Sequence, residues 1–152
     1  MRTGDLMRAR AARYLGVLAF TTFAAAAPSA GSVDTSPKPG GVYRLKPGVY
    51  VQKGVSCGSA PNAAIRKYDG RGISTVHTRA CRARVLSRDG DRYAVAQSCA
   101  DAGIGRGPRT TEQQTVIVSD ALTFTLRTGG KGAEYRYCPA YALSPEGRRS
   151  SK

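Results

Sequence analysis

One β-hairpin with a cysteine at each end is the strongest local signal in this chain. The stretch CRARVLSRDGDRYAVAQSC begins at Cys81 and ends at Cys99, with an Asp-Gly turn signal near its centre. Val85 alternates in phase with Cys81, and Tyr93 and Val95 alternate in phase with Cys99. Because alternate residues of a strand face the same side, both thiols lie on the apolar face and the arginines between them face the other way.

The turn decides the register of this hairpin. Val85 opposes Tyr93 or Val95 only if paired residue numbers sum to 178 or 180, because opposed residues point to the same side. A two-residue turn at Asp89-Gly90 gives a sum of 179, so we predict a three-residue loop with a β-bulge. Only the register of 180 sets the two cysteines directly opposite each other.

A second irregularity is expected just before the hairpin. His77 and Arg79 share the parity of Cys81, and an unbroken strand would therefore bury the charge of Arg79. We predict a bulge or a strand break near residues 78–80.

The first 26 residues have the three-part composition of a secretory signal peptide. Four arginines begin the segment, an apolar run from Tyr14 to Ala27 follows, and Ala24 and Ala26 satisfy the small-residue rule for cleavage after Ala26. The run is shorter than the roughly 20 residues of a membrane-spanning helix, although an uncleaved anchor is the alternative. We expect export to the periplasm or to the outside of the cell.

Export makes two disulfides the expected state of the four cysteines, which are Cys57, Cys81, Cys99 and Cys138. Pairing Cys57 with Cys81, and Cys99 with Cys138, is slightly favoured, because most cross-strand neighbours are not directly opposed. The alternative joins Cys81 to Cys99 and Cys57 to Cys138, which staples the hairpin and ties the first strand to the last. The cysteine spacings do not match the close Cys-x-x-Cys pairs of zinc sites, so no metal is expected.

Short β-patterned runs alternate with turn residues through the rest of the chain. Two Pro-Gly turns each precede Val-Tyr and are expected to lead into two short strands, of which the second is Val49 to Gln52. The runs IRKY, ISTVHT, QQTVIVS, LTFTLRT and EYRYC and the two hairpin strands add the rest. We predict an all-β fold, a small antiparallel up-and-down barrel or a sandwich of seven to eight strands with two disulfides.

The mature chain is expected to form one β domain with polar flanks. The tail LSPEGRRSSK is polar, and the stretch DAGIGRGPRTTE, residues 101–112, is expected to form a glycine-rich loop. The predicted segments are a signal peptide at 1–26, a flexible lead at 27–40, a β domain at 41–141 and a disordered basic tail at 142–152.

The basic charge of the chain favours an anionic partner. The formal net charge is +14, of which +11 remains after a leader that carries +3. If adjacent hairpins place Arg66, Arg82 and Arg84 on one outer face, these residues form a docking surface for carboxylate or phosphate. Arg106 and Arg109 of the glycine-rich loop are further anion-binding candidates. A solvated basic surface that protects strand edges is the alternative.

The residues show no catalytic constellation. His77 is the only histidine, no nucleophile-elbow sequence is present, and the few carboxylates of the mature chain sit mostly in turns. We therefore predict no catalytic residue and no cofactor, and interpret His77 as a surface or rim residue.

Much of the chain resembles a group of small exported bacterial proteins of unassigned activity. The resemblance rests on the run CGSAPNAAIRKYDGRGI, continuing through TRACRARVLSRDGDRYAVAQSC to YRYCP, over residues 48–139. It implies export and a four-cysteine layout. The outline is also similar to the small periplasmic barrels that inhibit lysozyme, although their Ser-Gly-containing inhibitory loop is not recognised here and the basic charge departs from their acidity.

These observations favour contact with a partner over turnover of a substrate. We expect an exported, non-enzymatic binding module that docks an anionic glycan, a lipid head group or an acidic protein, and no nucleic acid. The alternative function is an inhibitor or immunity-type protein of a periplasmic or extracellular hydrolase.

Overall fold

Eight antiparallel strands follow one another along the part of the chain that the computed structural model describes, residues 38–103, 107–145 and 148. The predicted signal peptide, most of the predicted lead and Arg106 lie outside the described residues. The strands are β1 Gly48–Gln52, β2 Ile65–Tyr68, β3 Ile73–Ser74, β4 Thr78–Asp89, β5 Arg92–Asp101, β6 Arg109–Asp120, β7 Thr123–Thr128 and β8 Lys131–Cys138. Within these residues, no helix is long and apolar enough to cross a membrane.

The strands form one sheet that curves into a nearly closed barrel. Their order is β3-β2-β1-β8-β7-β6-β5-β4, so the chain meanders and β1 pairs with the last strand. The seam lies between β3 and β4, where the backbone N–H of Ala83 donates to the carbonyl of Arg71 at 2.8 Å. The all-β prediction is therefore confirmed as a barrel of eight strands with two disulfides.

A buried glutamine side chain completes the seam from inside the barrel. Gln97 of β5 is 4% exposed, accepts a hydrogen bond from the N–H of Ile73 at 2.8 Å and donates one to its carbonyl at 2.8 Å. The amide thus replaces the strand that β3 lacks on this side. Gly72 permits the close approach, since an added Cβ would lie 2.8 Å from the carbonyl carbon of Cys81.

Aromatic side chains fill the interior, as the strand alternation requires. Phe124 is fully buried and its ring packs 5.1 Å from that of Tyr50 and 5.3 Å from that of Tyr135. Alternate residues of β7, such as Thr125, face outward. Each of these rings buries a large apolar area, and together they form a close-packed barrel core.

One end of the barrel is closed by the segment of residues 40–46, which we call the plug. Its Tyr43 and Leu45 are 0% exposed. The first Pro-Gly turn was expected to lead into a strand, but this expectation is wrong, because Gly41 and Arg44 adopt left-handed φ of 76° and 56°. Only glycine fits at 41, where a Cβ would lie 2.2 Å from the carbonyl oxygen of Gly70.

The disulfides connect Cys81 to Cys99, with Cα atoms 4.1 Å apart, and Cys57 to Cys138, with Cα atoms 5.8 Å apart. The favoured pairing of Cys57 with Cys81 and Cys99 with Cys138 is therefore wrong. The physical reason is tertiary: β1 pairs with β8 so that Val49 lies opposite Cys138, and the loop after β1 packs back along the outside of β1, which brings Cys57 to Cys138. Two disulfides indicate an oxidising environment.

Two bulges set the register that makes the first bridge possible. The turn is the two-residue Gly90-Asp91, so the predicted three-residue loop with a bulge is wrong; the extra residue is instead Leu86, inside β4. Beyond it, Val85 opposes Val95 in the register of 180, which places the two cysteines opposite each other. The second predicted irregularity is confirmed, since the register shifts again between Arg79 and Arg82.

A second, smaller core lies outside the barrel against β1. Val49 and Val51 face it, together with Cys138 and with Leu143, which is 4% exposed. Buried packing thus continues two residues past the boundary predicted at 141. In the chain-entropy model the bridge to Cys57 closes a separation of 81 residues and contributes about 4.5 kcal/mol, against about 3 kcal/mol for the separation of 18.

Candidate anion-binding face

The outward side chains of β4 and β5 form a row of arginines beside a floor of small residues. On β4, Arg82 opposes Ser98 and Arg84 opposes Ala96. The outward residues of β5 are all small apart from Arg92 at its start, namely Ala94, Ala96, Ser98 and Ala100. A partner can therefore approach the sheet closely while it contacts guanidinium groups on one side.

A cleft of about 370 Å³ lies on the same outer face, nearer the hairpin turn. Leu86 and Ala94 give it an apolar side, and Arg92 and Arg127 bring two guanidinium groups to it. On the strand between them, Thr115 opposes Ala94 on one side and Arg127 on the other, whereas Arg92 opposes Ile117. We call Arg82, Arg84, Arg92, Arg109 and Arg127 the outer arginine face.

Most arginines of this face are not neutralised by carboxylates. Arg82, Arg84, Arg92 and Arg127 make no ion pair with any residue that the structure describes. On β8, by contrast, Glu134 is paired with Lys53 at 3.1 Å. Guanidinium groups without partners retain all five N–H donors for a planar anion.

Arg109 belongs to the outer arginine face, but several of its N–H groups already donate hydrogen bonds within the barrel. Its Nη2 donates to the carbonyls of Ala80 at 2.9 Å and Ser98 at 2.7 Å, and its Nε donates to the Ser98 hydroxyl at 3.2 Å. The side chain thus clamps the β4 bulge, where Ala80 has a φ of 47°. Because β6 begins at Arg109, this residue lies on a strand and not in the predicted glycine-rich loop.

Arg66 lies apart from the other candidates. It opposes Tyr50 in the ladder between β1 and β2 and so faces the barrel interior, where its guanidinium lies 5.0 Å from the ring centre of Tyr135. Its Nη1 donates to the carbonyls of Ala63 and Ile65, and its buried Nε has no hydrogen-bond partner. The condition for a joint docking surface, that Arg66 share an outer face with Arg82 and Arg84, is therefore not met.

Sequence reasoning missed Arg92 and Arg127 as members of the site. The outward parity of Arg127 is readable in LTFTLRT, where it alternates with buried Phe124 and half-buried Leu126. What the sequence does not give is that β7 neighbours β6, which neighbours β5. The predicted candidate Arg106 lies outside the described residues.

The other chemical candidates stay isolated. His77 is exposed in the turn between β3 and β4, and its backbone N–H donates to the Thr75 hydroxyl at 3.1 Å. Among residues 38–103 and 107–145, no three His, Cys, Asp or Glu side chains cluster so that they could hold a metal ion. Among the described residues, the outer arginine face is therefore the site with the groups to bind a ligand.

Comparison with known proteins adds no relative to this picture. No family model, no curated protein and no solved structure matches the chain.

Proposed function

We propose that this protein is an exported, non-enzymatic binding module that docks an anionic partner on its outer arginine face. The observation that carries the proposal is the arrangement of Arg82 and Arg84, which are exposed, unpaired with carboxylates and set beside the small outward residues of β5. The two disulfides and the signal-like leader support export.

The chemistry of arginine supports an anionic partner over a neutral one. A guanidinium binds carboxylate or phosphate through two parallel hydrogen bonds, and such charge-assisted bonds are about twice as strong as neutral ones. Solvent screens a single exposed pair to about 1 kcal/mol or less, so affinity comes from several arginines acting on one polyanion. The spacing of Arg82 and Arg84 on alternate positions of β4 suits repeated charges along an extended ligand.

The test is binding of the mature, oxidised protein to dextran sulfate and to polyglutamate, at low and at high salt. We expect binding at low salt that weakens as salt rises, because the contacts are exposed ion pairs. The double variant Arg82→Gln with Arg84→Gln should lower the affinity about tenfold, which corresponds to about 1.4 kcal/mol.

A matched control removes the same charge elsewhere. Lys38→Gln with Lys53→Gln takes two exposed cations from outside the outer arginine face. This pair should change the affinity by less than about twofold. If neither polyanion binds at low salt, or if the control pair weakens binding as much as the arginine pair, the proposal is wrong.

A further inference from the structure

Strand β4 continues well beyond its neighbour on the seam side. Strand β3 has two residues, Ile73 and Ser74, and the backbone contact across the seam is made by Ala83 to Arg71. From there β4 runs on to Asp89 with β5 on its other side only. The second half of β4 is therefore an open sheet edge.

Backbone hydrogen-bonding groups face outward along this edge. Alternate residues of a strand direct their N–H and C=O groups to the same side, and Ala83 directs its N–H away from β5. Val85, in the same unbroken register, therefore does so as well. Its N–H has no acceptor within the described part of the chain, so it is free to join another strand.

Apolar side chains are also exposed at this edge. Val85 is 40% exposed and Leu86, at the bulge, is 44% exposed. Edges that only avoid association replace such residues with charge or cover them. Here the apolar pair and the free backbone occur together, and Leu86 lines the cleft that also holds Arg92.

The charges of β4 decide between two occupants of the edge. A second copy of this chain would bring Arg82 and Arg84 against the same arginines, and like charges across a ladder are destabilising. An acidic strand would place carboxylates against them. The bulge at Leu86 keeps any regular added ladder short.

We propose that the β4 edge adds an extended, acidic peptide segment of a partner protein as an extra strand, with apolar side chains of that segment against Val85 and Leu86. This inference rests on the proposed function and deepens it, because it names the anionic partner as a protein. Backbone pairing then supplies affinity that charge alone does not, and the arginines supply selectivity for acidic sequences.

The first test compares three probes on the full mature, oxidised chain. They are an eight-residue peptide of alternating Glu and Val, the same peptide with alternate backbone nitrogens methylated, and dextran sulfate. We expect the methylated peptide to bind about tenfold more weakly than its parent, since it keeps every charge but cannot complete the ladder. Amide hydrogen exchange at Val85 should slow with the parent peptide and stay unchanged with dextran sulfate.

The second test changes the edge of the protein. Val85→Pro removes the outward N–H without removing a bond to β5, and Val85→Ala removes the apolar side chain and keeps the N–H. The proline variant should lose about tenfold in peptide affinity and keep its dextran sulfate affinity, whereas the alanine variant should lose about threefold or less. Should the proline variant fail to fold, the methylated peptide decides.

The outcomes separate this inference from the proposed function. Equal binding of the two peptides, with no protection at Val85, would overturn the added strand while the anion-binding proposal stands. Failure of all three probes to bind would overturn both. Protection of Val85 that grows with protein concentration in the absence of peptide would instead identify a second copy as the occupant and overturn the acidic partner.

Discussion

Two buried tyrosines at the plugged end of the barrel differ in whether their hydroxyl groups are hydrogen-bonded. The Tyr68 hydroxyl accepts from the N–H of Tyr43 at 3.1 Å and donates to the carbonyl of Gly40 at 2.8 Å. The Tyr43 hydroxyl is equally buried and has no hydrogen-bond partner. Burial of a polar group costs free energy unless the group is hydrogen-bonded. The Tyr68 hydroxyl therefore stabilises the plug, and the Tyr43 hydroxyl destabilises it.

Removal of these hydroxyls should therefore change stability in opposite directions. Tyr43→Phe deletes an unsatisfied buried group, and we expect the free energy of unfolding to rise by about 1 kcal/mol. Tyr68→Phe leaves the N–H of Tyr43 and the carbonyl of Gly40 without their partner, and it should lower that free energy by about 1–2 kcal/mol. Urea unfolding of both variants checks the prediction, and a loss of stability in both would contradict it.

Among the strands, the seam between β3 and β4 depends on one side chain. Gln97 supplies both hydrogen bonds that the backbone of Ile73 lacks on its open side and also donates to Gln114 at 3.2 Å. A short strand with a buried, unpaired edge would otherwise leave two polar groups unsatisfied. The amide therefore substitutes for strand pairing at the point where the ladder ends.

Gln97→Leu should open this seam. The variant keeps the size of the side chain and removes both bonds to Ile73, so we expect unfolding free energy to fall by about 2–4 kcal/mol. The same change at exposed Gln113, on the neighbouring strand, should cost less than about 0.5 kcal/mol. The measurement is urea unfolding together with amide exchange at Ile73, and equal losses in the two variants would count against the role of Gln97.

The individual strands could be predicted from the sequence, whereas the contacts between distant strands could not. Alternation in LTFTLRT and in the cysteine hairpin gave the strands and their faces, because side-chain parity is a local property. The disulfide pairing depended on the bulge at Leu86 and on the contact of β1 with β8, which are tertiary facts. The plug was mistaken for a strand, because left-handed φ at Arg44 has no marker in the sequence.

For the molecule as a whole, sequence indicated a basic surface but not its layout. The net charge of the sequence predicted an anionic partner, and Arg82 and Arg84 were selected from a local charge run. Strand order then grouped Arg127 with them and turned Arg66 inward, opposite Tyr50. Which charges share a face is set by the closure of the barrel, and closure is a property of all eight strands together.

Because the closed barrel buries several tyrosines, its stability is expected to fall at alkaline pH. Burial is the main cause that raises the pKa of Tyr43, Tyr50 and Tyr68 above the usual value near 10. Below about pH 10 these groups are neutral in both states, and their contribution to stability is complete. Above it they ionise in the unfolded chain and stay protonated in the barrel, so stability falls as pH rises.

The expected slope follows from the number of tyrosines. Tyr43 and Tyr50, whose pKa values burial raises strongly, each contribute about 1.4 kcal/mol per pH unit above about pH 10, so the two together should cost about 3 kcal/mol near pH 11, and Tyr68 adds to the loss in the same direction. Urea unfolding in steps from about pH 9 to pH 11, followed by tyrosinate absorbance, measures it. Tyr43→Phe should lower the slope by the contribution of one buried tyrosine, whereas Tyr141→Phe, at a side chain 74% exposed, should leave it unchanged. A flat profile, or equal slopes in the two variants, would show that these hydroxyls do not control the alkaline stability of the barrel.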